Sequence, residues 1–194
     1  MDPERRVKQV FENIKTRKIS DDEIKSFEWY YFGMDWGWYP DPTRYVAMAY
    51  DNRKKTLYIF DELTMYKTAN DIGVNLLREH VEGKPYIDHW TNMHITADNS
   101  EKDVSFYKAD GWNIRSAIKG SGSVETGFKW LQGLNEIIID NERAPITADE
   151  FLLYEYEIHN RTGEILSGYP EGQPDHSMAC VRYALERVWR RKDT

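Results

Sequence analysis

Between residues 29 and 62 the chain alternates dense aromatic and β-branched runs, 29–35, 43–50 and 56–62, with polar breaks at Tyr39-Pro40-Asp41-Pro42 and Asp51-Asn52-Arg53-Lys54-Lys55. Runs of this kind read as strands, and breaks this short join them as antiparallel neighbours, so the pattern predicts a three-stranded meander. From residue 70 the period changes. Ile72, Leu76, Leu77 and Val81 recur at helical spacing and stop before Gly83 and Pro85, which predicts a helix over 70–82. Strands over 94–97, 112–117 and 136–139 then alternate with helices over 101–109, 124–134 and 147–154, an order that predicts parallel crossovers. A β-hairpin over 156–166, turning at Asn160-Arg161-Thr162-Gly163, and a terminal helix over 175–191 complete an α/β domain with a mixed sheet. Residues 1–28 are charged and helix-prone from Pro3 to Arg17 and read as a lead-in or linker, leaving 29–194 as the domain.

Composition narrows the class. A chain of 194 residues with 40% hydrophobic and 30% charged residues is globular and long enough for one ordinary core. Cys180 is the single cysteine, which excludes an intramolecular disulfide and a cysteine-rich zinc site; its setting on an apolar helical face predicts a packed core thiol. No apolar run approaches the roughly 18 residues of a membrane span and the N-terminus lacks a secretory apolar region, so a cytosolic protein is expected. The net charge of −7 argues against nucleic-acid binding by bulk electrostatics, although a local basic face is compatible with it. Positive charge gathers at Arg182, Arg187, Arg190, Arg191 and Lys192 and in the turn at Arg53, Lys54 and Lys55; a solvated helix end and a hairpin tip are the preferred readings of the two groups.

Three carboxylates stand at element ends: Asp35 after an aromatic strand and between glycines, Asp98 after a short strand, and Asp175 before the last helix. A fold that gathers these ends would place three hard oxygen donors around one or two divalent cations. Each also has a plainer reading, Asp35 as a turn former and Asp98 and Asp175 as helix caps, and a cap can still ligate because a carboxylate offers about four lone-pair sites. His176 could ligate, move a proton or face solvent, and Glu101 could serve the first helical turn or hold a metal-bound water. The loop Lys119-Gly120-Ser121-Gly122-Ser123 could contact phosphate, with a solvated linker as its default reading. A P-loop, H-E-x-x-H, G-x-S-x-G and a dinucleotide fingerprint are all missing, so ATP hydrolysis, zinc hydrolase and dinucleotide chemistry are unsupported.

The order Gly33-Met34-Asp35-Trp36-Gly37, Asp61-Glu62, Ala97-Asp98-Asn99-Ser100-Glu101, Lys119-Gly120 with Gly127-Phe128-Lys129-Trp130-Leu131, and Asp175-His176 with Arg182-Tyr183-Ala184 resembles the C-terminal nuclease domain of the large terminase subunit of tailed bacteriophages. The resemblance spans roughly residues 29–188. It implies a ribonuclease H-like fold, a mixed sheet flanked by helices, and an endonuclease that cuts viral double-stranded DNA during packaging. Asp35, Asp98 and Asp175 would be catalytic and, with His176, would hold two Mg²⁺ or Mn²⁺ ions, with Glu62 and Glu101 behind them. Lys119, Arg182, Arg53 and Lys54 are the candidate DNA contacts. The implied partners are DNA, the ATPase motor domain of the same subunit, the small terminase subunit and the portal, in the cytoplasm of an infected bacterial host and with no membrane. Many relatives carry a further aspartate four residues after the position of Asp175, where this chain has Ala179. That departure keeps open a non-catalytic module that positions DNA or docks to a motor; a resolvase or transposase-type nuclease is a further alternative sharing the fold.

Overall fold

A computed structural model describes residues 8–118, 120–166 and 168–191. The expected meander is present as β2 (Tyr30–Asp35), β3 (Thr43–Asp51) and β4 (Thr56–Met65), each pair antiparallel. Three parallel strands join it: β5 (Ile95–Ala97) on β2, β6 (Ile114–Ser116) on β5, and β7 (Glu136–Ile139) on β4. Residues 8–28, expected as a lead-in or linker, pack against the domain. β1 (Ile14–Thr16) pairs parallel with β7 where a helix was expected, α1 (Asp21–Ser26) follows, and Val10, Phe11, Ile19 and Ile24 are buried in the cores. The part of the helix-prone stretch at residues 1–7 lies outside the described residues. The seven-stranded sheet runs β1-β7-β4-β3-β2-β5-β6. This is the mixed α/β architecture implied by the resemblance.

Helices cover both faces. Phe32, Met34, Tyr45, Tyr58 and Phe60 point toward α2 (Asn70–Val81) and α3 (Glu101–Asp110), while Val46, Met48, Leu57, Ile137 and Ile139 face α4 (Ser123–Gln132), α5 (Pro145–Leu153) and α6 (His176–Ala184). Two local departures matter. The terminal helix breaks at Leu185, so α7 (Glu186–Trp189) is a separate short piece, and the hairpin over 156–166 forms with one isolated bridge, Ile158 to Ile165. A bulge in β4 also shifts its alternation. Ala47 pairs with Asp61 and Met48 with Ile59, leaving Phe60 as the extra residue, so Phe60 and Asp61 both serve the α2 side and Glu62 turns to the α5 and α6 side.

α6 lies directly on β2 because Gly33 leaves room for it: a Cβ there would sit 1.9 Å from the carbonyl oxygen of Cys180. Arg44, 1% exposed on the same sheet face, then fixes the start of the helix. Its guanidinium pairs with Glu62 and Thr64 and donates to Ser177 Oγ at 2.8 Å and Thr147 Oγ1 at 3.2 Å. Glu62 in turn accepts from the Ile146 and Thr147 amides at 2.7 and 3.3 Å, holding the first turn of α5, and Glu150 of α5 accepts from the Ser177 amide at 3.1 Å. Cys180 is the packed thiol expected, its Sγ 3.4 Å from the Arg44 carbonyl.

Gly33→Val must push α6 off the sheet, and urea denaturation is expected to show a loss of about 3 kcal/mol; unchanged stability would mean α6 has slack. Arg44→Met strands the Glu62 charge in the interior and should cost about 3–5 kcal/mol, with Arg44→Met/Glu62→Met more stable than the single variant. A double variant no more stable than Arg44→Met would contradict that account.

Candidate active site

The parallel register that sets Gly33 beside Thr96 and Met34 beside Ala97 brings the next pair, Asp35 and Asp98, side by side at the carboxyl ends of β2 and β5. Neighbouring strands lie about 4.8 Å apart, so the two backbones are close. The Asp98 amide donates to the Met34 carbonyl at 2.9 Å and the Trp36 indole donates to the Asp98 carbonyl at 2.9 Å, pinning the strand ends together. Asp35 shares strand parity with Gly33 and so faces α6. It is 8% exposed, whereas Asp98 is half-buried and Asp175 exposed. The cap of α3 is Ser100, which removes the helix-cap reading of Asp98. Asp175 does occupy the cap position of α6, but its side chain makes no capping hydrogen bond.

His176 bridges helix and sheet. Its Nδ1 stands 2.9 Å from Asp35 Oδ2 and its Nε2 3.4 Å from Asp41 Oδ1. The bond to Asp35 raises the imidazole pKa to about 9, with partial burial opposing the shift. For Asp35 itself, burial outweighs the His176 bond and, with the nearby charges of Asp98 and Asp175, raises its pKa above the usual carboxylate range. Tyr183, two turns along α6 from His176, donates to Asp98 Oδ1 at 3.3 Å, and its phenol is raised by burial and by the charges of Asp35 and Asp98. One end of the sheet thus gathers the three aspartates, His176 and Tyr183 into one electrostatic unit.

The donors are carboxylate oxygens, the type hard divalent cations prefer, and the mutual repulsion around Asp35 would be relieved by positive charge. Their chemistry fits Mg²⁺ or Mn²⁺. Their spacing is not a closed coordination set: among the described residues no group of three or more His, Cys, Asp or Glu side chains is placed to hold a metal ion.

Other expected site residues lie elsewhere. Glu62 bonds to Arg44 and the start of α5, supporting α6 through Arg44 and Ser177. Glu101 is exposed in the first turn of α3. Arg53 and Lys54 cap the β3–β4 turn, their amides bound by Asp51 Oδ1 at 2.9 and 3.1 Å. Because Asp35 pairs with Arg44 at the opposite end of β3, that turn is roughly 25 Å from the acids, at the far end of the sheet. Arg182 is 8% exposed, its guanidinium 5.4 Å from the Phe128 and Tyr183 ring centres, so it packs between α4 and α6 rather than presenting itself to DNA. Lys119 lies outside the described residues. Asp61 faces the other core, bonded to His80 at 2.9 Å and to Tyr86.

Sequence reasoning assigned no role to Tyr183, Trp36, Asp41 or Arg44. Tyr183 had a usable signal in its position seven residues after His176, which returns it to the same helical face. Trp36 acts on a backbone carbonyl, Asp41 reaches His176 from a loop, and Arg44 reaches across to β4, α5 and α6, contacts that leave no periodic mark.

Because the His176 pKa is raised from 6.5 to about 9, its pairing contributes stability fully below about pH 6.5 and loses it as pH rises through about 9. An NMR titration should find the imidazole midpoint near 9. Asp35→Asn should move it back toward 6.5, the ordinary value. A wild-type midpoint already near 6.5 would rule the pairing out in solution.

No family model matches the sequence. The large terminase subunit of Bacillus phage SPP1 is 33% identical over 182 residues, 91% of this chain and 41% of that protein, so the chain spans under half of this relative. The crystal structure of the SPP1 large terminase nuclease domain with bound Mn is 31% identical and superposes with a TM-score of 0.77, covering 91% of this chain and 97% of that one. The large terminase nuclease of thermophilic phage G20c with bound magnesium shares the fold at 16% identity and a TM-score of 0.53, covering 81% of this chain and 80% of that one. Among the described residues no helix is long and apolar enough to cross a membrane. With a relative this similar aligned along nearly its whole length, the chain belongs to the nuclease domains of tailed-phage large terminase subunits.

Proposed function

We propose that the chain is a divalent-metal-dependent endonuclease domain that hydrolyses phosphodiester bonds of double-stranded viral DNA during genome packaging. The observation that carries this reading is the side-by-side placement of Asp35 and Asp98 beneath α6, with Asp35 buried beside its acidic neighbours. Asp35, Asp98 and Asp175 would hold two Mg²⁺ or Mn²⁺ ions, with His176 beside them, and the relatives solved with Mn and with magnesium support that choice. Bound cations would supply an activated water and stabilise the charge developing on the leaving oxygen. The chain's own groups orient this site. Tyr183 and Trp36 fix Asp98 through its carboxylate and carbonyl, and His176 holds Asp35 and carries a proton beside it.

The ATPase motor domain of the same subunit, the small terminase subunit and the portal are the proposed partners, in the cytoplasm of an infected bacterium. One observation favours a second reading. Ala179, 8% exposed on the Asp175 face of α6, supplies no carboxylate, and the described acids form no closed metal set, features compatible with a non-catalytic DNA-positioning module. Cleavage of supercoiled plasmid decides between them. Nicking is expected with Mg²⁺ or Mn²⁺ and none with EDTA, while Asp35→Ala and Asp98→Ala should each lose more than the roughly 10–100-fold that removal of an outer partner costs. Plasmid left intact with both metals would favour the non-catalytic module.

A further inference from the structure

The loop over 36–42, immediately after Asp35, projects two large aromatic side chains: Trp38 is 58% and Tyr39 63% exposed. Tyr66, 61% exposed, and Lys67 follow the adjacent end of β4, and the Lys67 ammonium lies 4.2 Å from the Tyr39 ring centre. The loop is tied down at its base. The Gly37 amide donates to Thr43 Oγ1 at 3.0 Å, the same hydroxyl returns a bond to the Gly37 carbonyl at 3.1 Å, and a Cβ on Gly37 would come within 2.3 Å of the Pro42 carbonyl oxygen. Asp41 reaches His176 at 3.4 Å, so the aromatic loop and the acid cluster are joined through one imidazole. Trp36 is different in kind, since its indole N–H is bonded to Asp98 and its ring packs 5.0 Å from Tyr107.

Exposed aromatics on a fixed loop at the mouth of a site suit a ligand with flat, uncharged faces. In the absence of a bound cation Asp35, Asp41 and Asp175 disfavour phosphate here, and among the described residues the expected arginine contacts are buried or at the far end of the sheet. Base stacking meets no such repulsion, tolerates any sequence and is reinforced by a cation over the ring. In an intact duplex the base faces are covered by their neighbours; they become available only when nucleotides are unpaired or drawn out of the stack.

We propose that Trp38 and Tyr39 form a stacking platform for unpaired bases beside the scissile bond, so that the site takes locally opened DNA in preference to fully paired duplex. This rests on the nuclease reading for its biological setting, but binding tests it separately. Fluorescence anisotropy with the full chain, in EDTA and again in Ca²⁺, would compare a labelled duplex carrying a central mismatched bubble with its fully paired counterpart. The bubble should bind about tenfold tighter, and Trp38→Ala/Tyr39→Ala should remove about tenfold or more of that affinity while Trp38→Phe/Tyr39→Phe retains it. Equal binding of the two DNAs, no binding to either, or a double alanine variant that binds the bubble like wild type would each overturn the platform. Plasmid nicking scores the other reading: cut plasmid without bubble preference sinks the platform alone, and bubble preference with intact plasmid sinks the nuclease alone.

Discussion

A full positive charge in the interior of a small domain constrains everything packed around it, and here that charge is the guanidinium of Arg44. Moving such a group out of water costs several kcal/mol unless its donors are met by acceptors in good geometry. Those acceptors come from β4, α5 and α6: Glu62 and Thr64, Thr147, and Ser177. Two helices that could otherwise slide along an apolar sheet are thereby held to one position, because any shift leaves a buried charge incomplete. Arg44 is also the cross-strand partner of Asp35, so the group that fixes the start of α6 sits next to the acid that α6 must reach.

The electrostatics of the acid cluster depend on that placement. Asp35 is taken out of water near two other carboxylates, and among the described residues its ion-pair partner is His176, the first residue of α6. The pairing raises the histidine but does not restore the aspartate to an ordinary acid, because burial is the larger influence on Asp35. Such a site retains a demand for further positive charge. Tyr183 contributes a neutral donor instead, which orients Asp98 without adding charge.

The fold was largely legible because its long elements carry clean periods. The three strands of the meander and α2, α3 and α4 fall within a few residues of where their apolar positions put them. What escaped was set by tertiary pairing. Ile14-Lys15-Thr16 is too short and too charged to announce a strand, and it becomes one because β7 offers an unpaired edge. The bulge at Phe60 breaks alternation for a reason that lies on β3. In the site, acids at element ends were visible since strand and helix termini are visible. Distance was not: Arg53 and Lys54 are basic and exposed yet stand at the opposite end of β3, and Arg182, on the helix that carries Asp175, turns into the space beside Gly127, where a Cβ would meet its Cδ at 2.8 Å. One-dimensional patterns report which face a residue takes more readily than which end of the molecule it reaches.

The two margins of the sheet are built alike. β1 and β6 are each three residues long and each centres on a basic residue, Lys15 and Arg115, flanked by isoleucine and a hydroxyl side chain. Just inside β1 lies β7 with its run of Ile137, Ile138 and Ile139, a segment that would recruit other strands if its backbone were bare. A short charged border on either side interrupts that template, so copies of the domain crowded together would have little basis for joining sheets edge to edge into aggregates.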